Sequence, residues 1–499
     1  MAKLNKSWDD FSLNAAIGTS ITDTRTSALR LDSKTASLYY PNVFTIANIN
    51  MSSSAYIEES DDARRQMQSF FAMAQLGYKE SLYLDVTARN DWSSTLAFTE
   101  RKSRGFFYPL VGLSWIIPKS FSMPSLISFG KVRASWSKVG NDIPLFVSNT
   151  VGHIAAGGIP QPNDTAPFGT LKPEMSSSFE IGTEWKFFDY RMDVDFTFYK
   201  TNTKNQLFSL PSSAGAAYKY YFVNAGNIQN MGVELTFGAV PILTNQFKWN
   251  TTLNFSRNKN EVKKLHDDLA SFIQGDEGFS SSYTMRLVEG GSFGDIYGKA
   301  FERDKYGAIV YGRDGLPQEI GSGNTAKVGN CNPAFLLGWG NSFTYKDFSF
   351  YFLIDGHFGG DVLAQTQAVL DQTGVSKVSG EARTMGYVDL EGHHIYNIKG
   401  FYEQVGGRNG VTEYYMYDAT NIRLRELSLG YTLPKRLLGR KQFVKKAELS
   451  FVARNLFFIY KKAPFDPDAV LSASNSNQGI DIFGIPTTRS VGFNVKLSF

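Results

Sequence analysis

The last twelve residues, Thr488–Phe499, read TRSVGFNVKLSF. From Val491 the odd positions carry Val491, Phe493, Val495, Leu497 and Phe499, and the even positions carry Ser490, Gly492, Asn494, Lys496 and Ser498. Successive side chains of a β-strand point to opposite faces, so this segment has one apolar face and one polar face. Two settings suit it: a soluble sandwich with the apolar face on a core, or a membrane barrel with that face on lipid. One strand does not separate them, but recurrence does.

The same alternation runs through the chain. Leu82, Leu84, Val86 and Ala88 alternate with Tyr83, Asp85, Thr87 and Arg89. Met192, Val194, Phe196 and Phe198 oppose Asp193, Asp195 and Thr197, while Leu427, Leu429, Tyr431 and Leu433 oppose Ser428 and Thr432. Helical spacing fits these segments less well. Short connections near 78–81, 118–126, 188–191, 241–246, 290–293, 345–347 and 434–442 alternate with long polar ones. The long ones span about 21–65, 93–105, 140–174, 204–229, 261–282, 304–333, 361–418 and 460–487. Seven turns and eight loops predict sixteen strands, the first near residues 7–20 running upward from a periplasmic start. Short turns on one side and long loops on the other are the asymmetry of outer-membrane barrels. Greek-key sandwiches have no reason to keep it.

Composition agrees. Of 499 residues 20% are charged, below the usual quarter, while Phe (40) and Tyr (25) are numerous. A net charge of +4 is too mild to point to nucleic acid. The single Cys331 excludes an internal disulfide framework and a cysteine metal cluster. No apolar run is long enough for a transmembrane helix, and Met1–Asp10 (MAKLNKSWDD) has no apolar core of a signal peptide.

Several stretches carry a family resemblance: LYLDVTARNDWSSTL (82–96), FYPLVGLSWIIPKSFSMPSLISFGKVRASWSKVGND (107–142), NFSRNKNEV (254–262) and NPAFLLGWGNSFTYK (332–346). GGDV (359–362), NIRLRELSLGYTLP (421–434), RNLFFIY (454–460) and the terminal strand continue the series. In this order they resemble the TonB-dependent outer-membrane receptors of the SusC/RagA type. That resemblance implies an all-β, antiparallel transmembrane barrel, with about 16 of the family's 22 strands in residues 1–499 as one C-terminal barrel domain. The family's plug and signal peptide are expected to lie outside this sequence. It also implies a Gram-negative outer-membrane location and import of glycans or other oligomeric nutrients such as peptides. The implied partners are outer-membrane lipid, a SusD-like surface lipoprotein, an oligosaccharide or peptide substrate, and TonB only through the N-terminal part. Terminal Phe499 resembles the signal read by the outer-membrane insertion machinery. The chain by itself is expected not to import.

Candidate sites are few. Tyr220 and Tyr221, and Tyr414 and Tyr415, fall in or near long loops, where tyrosines stack on sugar faces and hydrogen-bond through their hydroxyls, or pack loop against loop. His393 and His394 beside Glu391 suggest a metal, but adjacent residues of an extended segment point apart. Relatives carry an acidic calcium-like stretch where Asp304–Gly315 (DKYGAIVYGRDG) lacks alternating oxygen ligands. No metal or cofactor is expected. Asp193 with Asp195, and Glu180 with Glu184, have the arithmetic of a glycosidase pair but read as a charged lumen wall. No nucleophile elbow or P-loop is present, so no enzyme is expected. The runner-up to an importer is a self-closed sixteen-strand diffusion pore or surface-binding barrel, and a soluble sugar binder or hydrolase comes third.

Overall fold

The terminal strand pairs in the register its two faces demand. Phe493 sits opposite Phe451, which sits opposite Leu429, then Phe350, Phe343 and Trp249, so one apolar row crosses six strands. The rings touch along it, with Phe451 and Phe493 5.7 Å apart and Phe343 stacked 5.7 Å from Trp249. The other face carries Asn494, Ser450, Gly430 and Ser349 in the adjacent row.

The computed structural model describes residues 1–499 except 33–35, 51–56, 100–104, 149, 156–158, 162, 167–170, 213–214, 267–269, 274–281, 322, 324, 439–442 and 472–476. The strands, in chain order, are β1 (Ala2–Trp8), β2 (Phe11–Asp32), β3 (Ile57–Tyr78), β4 (Leu82–Ser93) and β5 (Gly105–Ile116). Then come β6 (Ile127–Asn141), β7 (Glu174–Phe187), β8 (Met192–Pro211), β9 (Tyr220–Leu243) and β10 (Phe247–Lys264). The series ends with β11 (Phe335–Tyr345), β12 (Phe348–Phe358), β13 (Asn421–Thr432), β14 (Lys446–Lys461) and β15 (Ser490–Ser498). They follow one another along the sheet in sequence order. The sheet's sixteenth member, Thr165–Ala166, lies off that path and pairs parallel to Tyr220–Tyr221.

The expected sixteen-strand meander is therefore corrected to fifteen among the described residues. Tyr283–Val288 and Asp295–Gly298, which flank the turn at 290–293, belong to a separate four-stranded sheet with Ser271–Ile273 and Ala326–Asn330. Six and four residues are too short to cross a bilayer, which takes about 9–11. In compensation, β1 precedes the expected first strand, turning at Asp9–Asp10 to pair Ala2 with Ile17 and Trp8 with Phe11. The expected loop at 21–65 is also partly strand. The β2–β3 ladder pairs 22 residues, about twice what a bilayer requires.

The chain divides into two compact units. The first comprises residues 1–120, 133–180 and 201–228. Its apolar row, Leu13–Leu76–Leu84–Leu113, ends in the aromatics Trp8, Phe11, Tyr78 and Trp115 beside the short turns. Its other face holds Asn14, Gln75 and Asp85 side by side, with Gln75 Nε2 donating to Asp85 at 2.8 Å. Across β3, β4 and β5, the Arg89-Asn90-Asp91 landmark closes a polar clasp. Arg89 donates to Asp91 at 2.7 Å and to Ser69 at 2.8 Å, and the Tyr108 hydroxyl also donates to Asp91. Next to it, Asp142 accepts from Ser93 at 2.5 Å and pairs with Arg65 at 2.9 Å over a small core of Leu96, Phe106 and Leu171.

The second unit comprises residues 121–132, 181–200 and 229–499. It adds to its strands a loop core holding the helices α1 (Gln365–Gln372), α2 (Lys377–Met385) and α3 (Ile398–Val405). Ser376 and Asn397 cap α2 and α3 by accepting backbone N–H bonds at 3.0 Å. Leu363, Phe401, Val405, Ile296 and Ile480 are buried together beneath them.

For a lipid-facing apolar row, Phe350→Arg is expected to destabilise the chain refolded in lipid vesicles by about 2–4 kcal/mol. Ser349→Arg, on the other face, is expected to leave the denaturant midpoint nearly unchanged.

Candidate functional site

In the second unit, β12 and β13 leave the sheet for the loops around a cluster of charged groups. The cause is local. Along NIRLREL the apolar positions are even (Ile422, Leu424), whereas from Leu427 they are odd (Leu427, Leu429, Tyr431). That change of phase is a β-bulge: against β12 the register passes from Leu353–Glu426 directly to Ile354–Leu424, leaving Arg425 as the extra residue. Asn455 on β14 takes the matching irregularity with φ 51°, a left-handed conformation Asn tolerates better than most side chains.

The bulge aims Arg425 across the polar face. Its Nε and Nη2 donate to Asp355 Oδ2 at 2.7 and 2.5 Å, and its Nη1 donates to Asn455 at 3.2 Å. Arg423, 1% exposed, lies over the Phe458 ring at 4.6 Å, donates to Asp468 and donates to Thr487 at 3.2 Å. Asp468 lies 3.7 Å from Arg425, so two guanidinium groups and two carboxylates form one network. A cavity of about 430 Å³ opens beside it, lined by Glu234, Asn254, Asp355, His357, Asn421 and Arg425 among others. Sequence reading missed this cluster, whose one signal was the phase change at Arg425. Two of the family-like stretches, NIRLRELSLGYTLP and RNLFFIY, meet in it, through Arg423 and Arg425 and through Asn455 and Phe458.

The GGDV segment explains its own glycines. Gly359 and Gly360 have φ of 73° and 78°, and a Cβ on Gly360 would stand 3.0 Å from the Cys331 carbonyl. Asp361 then accepts the Asn330 N–H at 2.8 Å, joining this corner to the Asn332-Pro333 landmark.

The expected tyrosines separate. Tyr415 is 1% exposed, its hydroxyl donating to Asp371 at 3.1 Å, and Tyr414 packs edge-on against Phe401 in the same core. Tyr415 is thus taken up by loop-to-loop packing, while Tyr414 is half-buried against the same core. Burial pushes the Tyr402, Tyr414 and Tyr415 hydroxyls upward, Tyr402 to about 12. Tyr220 and Tyr221 are strand residues at the start of β9 rather than loop residues, because Thr165–Ala166 pairs with them. Tyr220 is 45% exposed and Tyr221 partly buried, facing opposite sides.

His393 and His394 lie on a small hairpin and diverge. His393 packs on Tyr311 and His394 on Tyr387, each with ring centres 4.0 Å apart. Glu391 between the strands pairs with Arg303 at 2.8 Å. Asp304 accepts the N–H groups of Tyr306 and Ala308 at 2.8 and 3.0 Å. Glu180 lies 3.9 Å from Arg133 and Glu184 3.2 Å from Lys186. Phe499, 62% exposed, tilts against Phe443 with ring centres 5.1 Å apart.

Comparison with known proteins places this architecture. Residues 3–456 match the family described as TonB dependent receptor-like, beta-barrel. The chain belongs to that family. TonB-dependent receptor P3 of Formosa agariphila is 26% identical over 489 residues, covering 90% of this chain and 47% of the relative. TonB-dependent receptor SusC of Bacteroides thetaiotaomicron is 22% identical over 491 residues, covering 89% and 46%. The chain thus spans about half the length of these relatives. In fold it is similar to the RagAB peptide importer in its open-open state, with a TM-score of 0.77 at 18% identity, covering all of this chain and 54% of that one. The outer membrane transporter YddB from Escherichia coli is more distant, with a TM-score of 0.53.

Two outcomes test the geometry of this TonB-dependent receptor chain. Asn455→Val forces a β-branched residue to φ 51° and is expected to lower stability by about 1–3 kcal/mol in a denaturant titration, whereas Asn455→Gly is tolerated. In the loop core, burial raises the Asp361, Asp371 and Asp481 carboxyls above their ordinary 3.8. A carboxyl held above its unfolded value stabilises the fold at pH below that unfolded value, and the contribution is lost as pH rises through the raised one. Hydrogen exchange corrected for intrinsic rates is therefore expected to quicken in 365–372 and 412–415 as pH rises from about 4 towards neutral. Asp371→Asn is expected to weaken that dependence.

Proposed function

We propose that this chain forms the barrel wall and surface loops of a SusC/RagA-type TonB-dependent transporter in the outer membrane of a Gram-negative bacterium. The transporter imports glycans or other oligomeric nutrients, with a SusD-like surface lipoprotein as partner. The observation that carries this reading is the match to the receptor barrel family over residues 3–456, together with a strand meander whose apolar face is exposed. Phe493, 77% exposed on that face, needs an apolar surrounding that water does not supply. The names of SusC and of the RagAB peptide importer lend support at the level of nutrient uptake.

Within this reading, residues 1–499 act as one barrel domain, TonB acts through the receptor's N-terminal part, and Phe499 serves as the insertion signal. Exposed Tyr220 and half-buried Tyr221 and Tyr414 are the tyrosine candidates for substrate contact, whereas Tyr415 is taken up by the loop core. The strand count weighs against the self-closed pore. Fifteen meander strands among the described residues are an odd count, whereas bacterial single-chain barrels use even ones.

The test is cellular. The chain is expected in the detergent-soluble outer-membrane fraction, and deletion of its gene is expected to abolish growth on one oligomeric nutrient while sparing growth on the monomer. Uptake is expected to stop when a protonophore collapses the inner-membrane gradient. Uptake that persists under the protonophore would favour the diffusion pore.

A further inference from the structure

The polar face of β8, β9 and β10 fixes the parity of the face behind it. The Tyr199 hydroxyl donates to Asn258 at 3.2 Å, and Asn258 and Asn260 donate to Asn230 at 3.1 and 3.0 Å. Those four side chains share one side, so Lys200, Met231, Arg257 and Lys259 turn to the other, the side of Phe198 and Phe255. Lys200, Arg257 and Lys259 are exposed there. Glu261 pairs with Lys259 at 3.1 Å and with Lys263 at 2.6 Å, whereas Lys200 and Arg257 have no carboxylate in ion-pair reach among the described residues. β9 runs between β8 and β10, and its Met231 and Val233 bring no acid to this face. Height completes the picture. Lys200 lies ten residues beyond Tyr190, and Arg257 ten beyond Phe247, the aromatics beside the short turns at 188–191 and 241–246. At about 3.4 Å per residue and a tilt near 40°, ten residues rise about 26 Å, the height of a barrel's apolar band. Both cations stand where such a band ends, on the side of the long connections.

We propose that Lys200, Arg257 and Lys259 clamp a phosphate of lipopolysaccharide, the phosphorylated glycolipid of the outer leaflet. The proposal rests on the outer-membrane reading and adds a lipid ligand to it. Charge selects an anion. Three cations on one face of neighbouring strands repel one another, and Glu261 answers only one of them. Position selects a lipid. Headgroups reach this height without leaving the membrane, whereas a soluble acidic partner would have to press against the membrane surface to touch it. Leaflet selects which lipid. Long connections mark the outer side of such a barrel, and lipopolysaccharide carries phosphate monoesters directly above its acyl chains there. The Arg257 guanidinium offers a planar fork of donors to phosphate oxygens, and the two lysines add point charges on flexible stems. Beneath them Phe198, Val233 and Phe255 supply apolar contact for the acyl chains.

The experiment is native mass spectrometry of the full chain in detergent, with diphosphoryl lipid A, its dephosphorylated form and phosphatidylglycerol as probes. Diphosphoryl lipid A is expected to bind about tenfold more tightly than either other lipid, and the double variant Lys200→Gln with Arg257→Gln is expected to lose that margin. Arg257→Lys, which keeps the charge without the fork, is expected to fall between them. Lys377→Gln, on α2, is expected to bind as the unaltered protein does. Heat-modifiable gel mobility checks that each variant is folded. In the unaltered protein, bound lipid A is expected to slow acetylation of Lys200 and Lys259 relative to exposed Lys377, a measurement independent of any variant. The clamp is overturned if dephosphorylated lipid A or phosphatidylglycerol binds as tightly, if the double variant keeps full binding, or if Lys200 and Lys259 gain no protection. Outer-membrane fractionation separates the two readings. A chain that binds lipid A through these residues yet fractionates elsewhere overturns the location alone, and one in the outer membrane that ignores lipid A overturns the clamp alone.

Discussion

Strand register is the constraint on which everything else rests. Side chains alternate with a period of two, so a slip of one residue between β14 and β15 would carry Phe493, Val495 and Leu497 from the apolar face to the polar one. The row from Phe493 through Phe451, Leu429, Phe350 and Phe343 to Trp249 makes every strand's register depend on its neighbour's. One polar group that intrudes on this face has its oxygen bonded by a ring of the row. Asn341 is 1% exposed and accepts the Trp249 indole N–H at 3.0 Å. The ring that faces the apolar surroundings thereby also satisfies the amide oxygen behind it.

Where register is deliberately broken, chemistry gathers. The bulge at Arg425 turns one extra side chain onto the polar face, and the paired irregularity at Asn455 receives its third hydrogen bond. Regular alternation across β13 would hold Arg423 and Glu426 on opposite faces, and the Asp355–Arg425–Asp468 network would lose its centre. The pair is partly solvated, with about a third of each side chain exposed, so its worth lies in orienting groups around the cavity more than in raw stability.

The loops obey a different economy. On both sides of β12 the loops build a soluble-type core from residues far apart in the chain, such as Ile296, Phe401 and Ile480. Long surface loops without such a core would pay their ordering entropy with little return. Tyr415 is consumed in that core and Tyr414 half-covered by it, which is why a tyrosine that looks available in a loop can be closed to solvent.

How much of this was legible in the sequence follows from range. Alternation is local, so the all-β class, the two faces of each strand and most turns could be read residue by residue. The family likeness could be read as well, since its landmarks lie in order. The count failed at Tyr283–Val288 and Asp295–Gly298 because a short strand of a loop sheet alternates just as a short membrane strand does. It failed again at Ala2–Trp8, whose even positions Ala2, Leu4 and Trp8 carry a pattern that seven residues make faint. The sequence by itself determined which side chains share a face, because that depends only on parity. Which residues share a site was decided by the tertiary structure alone. Asp355 and Arg425, 70 positions apart, meet only because β12 pairs with β13 and a bulge shifts the phase between them.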